Sequence, residues 1–387
     1  MQYRDFGKLD WKTSALGFGC MRLPTTDDNP FGGNIEEGMA TKMIRLAIDK
    51  GVNYIDTAYP YHEGKSEGLL GKVLKDGYRE KVRLATKSPV WLVKEADDFD
   101  KYLNEQLERL QTDYIDFYLL HGLGKEKWED TVIKLGLLDR AESAIKDGRI
   151  RYLGFSFHDD IGAFRTIMDG YDKWTFCQIQ YNYMDTENQA GTEGLRYAAS
   201  KGLAVIIMEP LLGGKLARPP KQITDILNES ESTRTPADLA LQWIWDQPEA
   251  SLLLSGMSTM DQVDENLRSA EASGPNRLSE DERNLIERIQ KKYREKMLVQ
   301  CTKCGYCMPC SSGVEIPSNF ELYNEGYMHE AVESSRFSYQ RFLKEGGRAS
   351  ACTQCGECMD KCPQKIPIKD LMPKVHAVLG EDKPYGE

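Results

Sequence analysis

At 387 residues the chain exceeds the size at which one hydrophobic core keeps growing, so two domains are expected. Its 40% hydrophobic and 29% charged residues describe an ordinary globular composition, and no apolar run approaches the roughly 20 residues that cross a bilayer. A net charge of -11 argues against nonspecific attraction to nucleic acid or to an anionic membrane, because both are themselves negative.

The opening stretch, MQYRDFGKLDWKTS, lacks the apolar core of a secretory signal, so a cytoplasmic location is expected. Its continuation, QYRDFGKLDWKTSAL, reads as a β-hairpin placed to plug a barrel floor. Eight short β-branched runs then follow in order: SALGFG, VNYIDT, VRLATK, YIDFYLLH, RYLGFS, FCQIQY, AVIIME and SLLLSG. Between them lie helical patterns, such as DDFDKYLNEQLERLQ with Phe99, Leu103, Leu107 and Leu110 at helical spacing. Several end in Lys-Gly or Asp-Gly stops, as in AIDKG, AIKDG and AASKG. Eight strands, each followed by a helix, predict a (β/α)8 TIM barrel over residues 1–290. A doubly wound sheet alternates in the same way, but LGFGCMRL carries no G-x-G-x-x-G fingerprint.

Barrel chemistry sits at the C-terminal ends of the strands. There the second strand ends in Asp56, the third in Lys87, the fourth in His121, the fifth in Ser156 and the sixth in Gln180, with Tyr61 five residues past Asp56. Singly, each has a bland reading: a helix cap, a packing tyrosine, a satisfied core histidine. Together they make a mechanism. A tyrosine with pKa near 10 is a poor acid unless a cation stabilises its phenolate, and Lys87, held by Asp56, supplies that charge. His121 can then hydrogen-bond the substrate oxygen as Tyr61 hands it a proton.

The segments IDTAYPYHEGKSEGLLG, LATKS, DYIDFYLLHG, YLGFSFH, QIQYNYMD and GLAVIIMEPLLGGKL resemble successive motifs of the aldo-keto reductase family. The resemblance spans residues 1–290 and implies carbonyl reduction, or alcohol oxidation, by hydride transfer with NAD(P)H. It places Asp56, Tyr61, Lys87 and His121 on the family's catalytic tetrad. It implies cofactor contacts at Gly19, Cys20, Met21, Asp56, Ser156, Gln180, Met208, Pro210, Leu211, Gly256, Ser258, Gln262 and Asn266. There are departures: Phe157 stands where the family usually has Asn, and Met208 where many members stack an aromatic ring on the nicotinamide. In the segment expected to grip the adenosine phosphate, Gly256, Met257 and Ser258 replace the usual cation, so a preference for NADPH over NADH is not implied.

Ten cysteines in a reducing compartment read as metal ligands rather than disulfides, since eight of them form two clusters in the last quarter. The first is C-x2-C-x2-C-x2-C at Cys301, Cys304, Cys307 and Cys310. The second is C-x2-C-x2-C-x3-C-P at Cys352, Cys355, Cys358 and Cys362. Four thiolates also suit zinc, but zinc ribbons pair C-x2-C with a distant C-x2-C, whereas these runs are those of two 4Fe-4S clusters. Crossed ligation is expected: Cys301, Cys304, Cys307 and Cys362 on one cluster, Cys352, Cys355, Cys358 and Cys310 on the other. The helix-forming stretch between the motifs makes residues 291–387 resemble an α-helical ferredoxin-like domain. SEDERNLIERIQKKYREKM, with a capping-box start at Ser279, leads into it. Of the remaining cysteines, Cys177 reads as core and Cys20 as a rim residue beside the cofactor. His62 and His158 also fall on the rim, equally suited to substrate contact and to solvent.

A nicotinamide delivers two electrons at once and an iron-sulfur cluster one. Two readings follow: a carbonyl reductase whose clusters fold, dock or sense, and an electron-transfer oxidoreductase in which a ferredoxin-like redox partner exchanges electrons with the barrel through the clusters. A ligand-binding scaffold without turnover is a third, and the intact tetrad stands against it.

Overall fold

The computed structural model describes residues 1–27, 29 and 31–386. A hairpin of β1 (Tyr3–Phe6) and β2 (Leu9–Ser14) opens the chain. Eight parallel strands then close a barrel: β3 (Leu16–Gly19), β4 (Tyr54–Asp56), β5 (Arg83–Ser88), β6 (Ile115–Leu123), β7 (Ile150–Phe157), β8 (Phe176–Gln180), β9 (Ala204–Met208) and β10 (Ala250–Ser255). Each strand pairs with its sequence neighbours and β10 returns to β3. All eight sequence-predicted runs are strands.

Side-chain alternation divides the interior into two layers. Phe117, Leu119, Ile206, Leu252 and Leu254 point into the barrel, while Tyr118, Leu120, Val205, Ile207 and Leu253 face the helices outside. The hairpin closes the inner layer, because Phe6 and Trp11 pack on Phe117 with ring centroids 4.6 and 5.6 Å apart. Gly7 turns the hairpin at φ +56°, and a Cβ there would lie 2.5 Å from the Ala204 nitrogen, so only glycine fits this approach.

The outer helices are α1 (Glu37–Asp49), α2 (Ser66–Val73), α3 (Asp97–Leu110), α4 (Leu137–Lys146), α5 (Ile161–Asp169) and α6 (Gly191–Ser200); α7 (Lys221–Asn228), α8 (Pro236–Trp245) and α9 (Met260–Glu271) follow. The Lys-Gly and Asp-Gly stops after α1, α4 and α6 place Gly51, Gly148 and Gly202 at positive φ.

The chain divides into two compact units, Met1–Gly214 with Arg234–Ser279, and Lys215–Thr233 with Glu280–Glu387. The excursion that carries α7 thus belongs with the C-terminal unit, a feature that an unbroken division at residue 290 does not contain. In that second unit α10 (Glu280–Glu295) packs on α7, and no strand occurs among its described residues. Its own core gathers Val314, Ile316, Phe320, Met372, Val375 and Leu379, from α11 (Ile316–Met328), α14 (Ile368–Gly380) and their approaches. Between these helices run α12 (Val332–Phe342) and the short α13 (Glu357–Lys361).

Candidate active site and iron-sulfur region

Asp56 and Lys87 occupy adjacent strands, so their side chains meet over the C-terminal mouth of the barrel. The Lys87 ammonium donates to Asp56 Oδ1 at 2.6 Å, to the Thr57 carbonyl at 2.8 Å and to Tyr61 Oη at 3.2 Å. All three of its N–H donors are therefore used. Gln178, on β8, donates to the other Asp56 oxygen at 3.4 Å. The His121 ring stands edge-on to Tyr61, centroids 6.2 Å apart, and its Nδ1 is buried with no protein partner. The four expected catalytic groups are thus brought together.

Burial opposes every charge here. It would lower the Lys87 pKa, but the Asp56 carboxylate and the Tyr61 oxygen outweigh it and leave the lysine above its ordinary value. Burial pushes the Asp56 carboxyl up while Lys87 pulls it back. The Tyr61 phenol is likewise raised by burial, and Lys87 only partly offsets this, so the residue stands protonated at neutral pH. His121 is held well below the usual histidine range by burial and then by Lys87, so the imidazole is neutral.

A polar network that sequence reading missed supports the β5 end of this cluster. Gln106, at an apolar position of α3, donates to Glu67 at 2.5 Å and to the Lys87 carbonyl at 3.1 Å, and accepts from Tyr118 at 2.7 Å. Thr86 donates to the same Glu67 oxygen at 2.6 Å. An amide on an otherwise hydrophobic helix stripe is the only sequence signal for it.

Of the two rim histidines left open, His62 is structural: its Nε2 accepts from the Leu23 N–H at 3.1 Å and its Nδ1 meets the Gly32 carbonyl at 2.8 Å. His158 is exposed at the end of β7. Cys177 is fully buried. Cys20 is also fully enclosed; its N–H donates to the Asp56 carbonyl at 2.8 Å and its carbonyl accepts from Ser66 at 3.3 Å.

The remaining expected cofactor contacts ring the same mouth. Ser156 Oγ accepts from the Gly122 N–H at 2.7 Å. Gln180 donates to Asp185 at 2.9 Å and accepts from Gln189 at 3.2 Å. Gly19 and Pro210 are buried, Met21, Met208 and Leu211 half-buried, and Gly256 exposed. Ser258 donates to the Arg22 carbonyl at 2.7 Å, and its N–H donates to Gln262 at 2.8 Å. Asn266 donates to Ser255 at 2.9 Å. The chain leaves β9 through a turn that holds Glu209 and Leu212 at φ +54° and +48°, a conformation costly for such side chains and typical of functional loops.

Two cations at this mouth carry no sequence signal beyond their position after a strand. Arg22 lies along Gly256, reaches within 3.3 Å of the Cβ position of Gly213, and is capped by the Phe31 ring at 4.9 Å. Lys127 follows β6. Neither forms an ion pair among the described residues.

In the second unit Cys301, Cys304, Cys307 and Cys362 line one concavity, and Cys310, Cys352, Cys355 and Cys358 line a second, which Cys307 lines as well. Four thiols around each concavity is the donor set of a 4Fe-4S cluster, so the residues present fit that group. Among the described residues no three His, Cys, Asp or Glu side chains converge as they would on one metal ion. Cys304 and Cys355 are the exposed members of the two sets. Two buried asparagines of α11 hold the backbone entering each motif. Asn324 bonds both the N–H and the carbonyl of Val299, at 2.9 and 2.7 Å. Asn319 accepts from the Ala349 N–H at 2.7 Å and donates to the Gly347 carbonyl at 2.8 Å.

Residues 15–291 match the model of the Aldo/keto reductase family. The chain belongs to the aldo/keto reductase family. Residues 300–366 match a 4Fe-4S dicluster domain, so an iron-sulfur domain follows the barrel in the chain. Among curated relatives, the aldo-keto reductase YhdN of Bacillus subtilis is 26% identical over 325 residues, covering 74% of this chain and 92% of its own length. L-galactose dehydrogenase of Arabidopsis thaliana is 29% identical over 289 residues, 69% of this chain and 87% of that protein. Among solved structures, the holo form of the aldo-keto reductase AKR11C1 from Bacillus halodurans is 29% identical, covering 75% of this chain and 96% of its own, with a TM-score of 0.61. The thermostable aldo-keto reductase Tm1743, in complex with the inhibitor epalrestat, is 25% identical over 75% of this chain and 100% of its own, also with a TM-score of 0.61. This aldo/keto reductase is accordingly an oxidoreductase, and no helix among its described residues is long and apolar enough to cross a membrane.

Proposed function

We propose that the barrel reduces an aldehyde or ketone, or oxidises the corresponding alcohol, with NAD(P)H. The observation that carries this reading is a single buried ammonium, that of Lys87, bonded at once to the Asp56 carboxylate and the Tyr61 hydroxyl at the barrel mouth. A bound nicotinamide would supply the hydride. Tyr61, kept protonated by burial, donates its proton to the substrate oxygen. Lys87 limits the cost of the phenolate left behind, Asp56 holds Lys87 in place, and the neutral His121 imidazole hydrogen-bonds the same oxygen.

Ser156 and Gln180 would hold the carboxamide. Gly19, Cys20, Met21, Met208, Pro210 and Leu211 would line the nicotinamide side. Gly256, Ser258, Gln262 and Asn266 would take the adenosine phosphate, and Arg22, beside Gly213 and Gly256, would pair with a phosphate that NADH and NADPH share. In the tail, Cys301, Cys304, Cys307 and Cys362 would ligate one 4Fe-4S cluster and Cys310, Cys352, Cys355 and Cys358 the other, the grouping of the two concavities. The clusters would fold the domain and, with Cys304 and Cys355 exposed, dock a ferredoxin-like redox partner.

The test is Tyr61→Phe in anaerobically purified protein. NAD(P)H oxidation by a carbonyl substrate should be abolished while iron, sulfide and cluster absorbance stay at wild-type levels. Retention of more than about a tenth of turnover would remove Tyr61 as the acid. Cluster reduction on adding NADH or NADPH to the wild type would instead favour the electron relay.

A further inference from the structure

The β5 and β6 ends form an outer wall to the mouth that the tetrad does not use. β5 and β6 are paired neighbours, with Lys87 opposite Leu119 and Ser88 opposite Leu120. The turn after β5 presents Trp91, which is 45% exposed. Its indole stands edge-on to His121, centroids 5.0 Å apart. The turn after β6 presents Lys127, whose ammonium lies 5.9 Å from the Trp91 centroid and donates to the Gly122 carbonyl at 2.7 Å. Moving outward from Tyr61 the wall therefore runs imidazole, indole, ammonium.

Lys127 is half-buried, and no carboxylate among the described residues lies within ion-pair distance. Glu126, its neighbour in the chain, acts on it only at longer range. Burial holds its pKa below the ordinary lysine value, and the cation depresses the pKa of His121 as well. One of its three N–H donors is spent on the Gly122 carbonyl, which leaves two for an anion arriving in the mouth. The exposed face of Trp91 between the ammonium and His121 is an apolar shelf.

Resting on the carbonyl-reduction reading, we propose that the substrate carries an anionic group, a carboxylate, separated from its carbonyl by an apolar body. The carbonyl sits at Tyr61 and His121, the body lies on Trp91, and the carboxylate pairs with Lys127. Lys127 is thus the residue that sets substrate class. The reaction's atoms and electrons are those already stated, a hydride to the carbonyl carbon and the Tyr61 proton to its oxygen, with the carboxylate unchanged.

The experiment compares kcat/KM of the holoenzyme for 4-carboxybenzaldehyde and benzaldehyde, in the wild type, Lys127→Gln and Lys127→Arg. The ratio is internally controlled, because a misfolded fraction cancels from it. The wild type should prefer the carboxylated aldehyde by about ten-fold or more, Lys127→Gln should bring the ratio to about one, and Lys127→Arg should keep most of it. A second readout needs no turnover: 4-(hydroxymethyl)benzoate should quench tryptophan fluorescence of the wild type and not of Lys127→Gln at the same concentration. Equal kcat/KM for the two aldehydes in the wild type, or an unchanged ratio in Lys127→Gln, overturns the assignment while leaving carbonyl reduction standing. Wild-type protein that turns over neither aldehyde with NADH or NADPH overturns the carbonyl-reduction reading itself, and the assignment with it.

Discussion

Replacing Lys87 by methionine removes the one cation among the described residues that is bonded to the buried Asp56 carboxylate. Among the described residues, Gln178, at 3.4 Å, is then the one side chain left bonded to it. An uncompensated buried charge of this kind costs about 3–5 kcal/mol. The protein can avoid that cost by protonating Asp56, which burial already favours. At pH 7 this also has a cost, because the unfolded carboxyl titrates near 4 and each pH unit is worth about 1.4 kcal/mol, giving about 4 kcal/mol. The two routes agree in size.

The sign follows from linkage: a carboxyl whose folded pKa is raised binds more protons folded than unfolded, so stability falls as pH rises above the unfolded pKa. Lys87→Met should therefore destabilise the barrel by about 4 kcal/mol at pH 7 and recover about 1.4 kcal/mol for each unit of acidification toward pH 4. Adding Asp56→Asn should remove most of both effects without restoring turnover. The assay is urea denaturation of the holoprotein followed by far-UV circular dichroism at several pH values, with any separate barrel transition fitted by itself, because a chain of two units need not unfold in one step. A loss under about 1 kcal/mol, or one that does not change with pH, would refute the view that Lys87 and Asp56 form an obligate buried pair.

Because the Tyr61 pKa is raised, its acid form persists above the ordinary tyrosine range, so kcat/KM for reduction should stay flat from neutral pH to about 10. Alcohol oxidation, which needs the phenolate, should rise across the same interval; a reduction limb falling below about pH 8 would contradict this. Arg22→Gln should weaken NADH and NADPH alike by about 10-fold to 100-fold in a fluorescence titration, the worth of one charge-assisted hydrogen bond to a shared phosphate, whereas a loss confined to NADPH would move Arg22 to the 2'-phosphate. Asn324→Ala strands the N–H and carbonyl of Val299 at about 1–3 kcal/mol each, so cluster absorbance should bleach faster in air than in the wild type; identical bleaching would mean that the clamp is not needed.

The barrel was legible because its signal is periodic. Runs such as AVIIME alternate Val205 and Ile207 outward with Ile206 inward, and a closed parallel sheet is the architecture that buries both faces. Asp56, Lys87, His121 and Tyr61 were legible as strand-end residues whose chemistry combines. Arg22 and Lys127 were not, because a cation in a βα loop resembles any solvated lysine or arginine until its surroundings are known. Gln106 and Asn324 were hidden for a related reason: their roles depend on backbone from distant segments. His62, beside Tyr61, suits substrate contact and solvent equally as sequence, and neither holds: its two ring nitrogens are spent on Leu23 and Gly32.

The two electron counts can be reconciled from the residues on each side. At the barrel mouth Lys87 has all three donors occupied, Tyr61 is protonated and His121 is neutral. That arrangement suits a closed-shell, two-electron step, in which the charge to be stabilised is an alkoxide becoming an alcohol. The second unit is built to another requirement. Its asparagine clamps act on backbone, its core is separate, and each thiol set turns one exposed cysteine toward solvent. A one-electron site meant for exchange with a soluble partner needs that exposure. On the proposed reading, hydride chemistry would fall to one compact unit and single-electron exchange to the other, and the chain passes between the two units three times, after Gly214, after Thr233 and after Ser279.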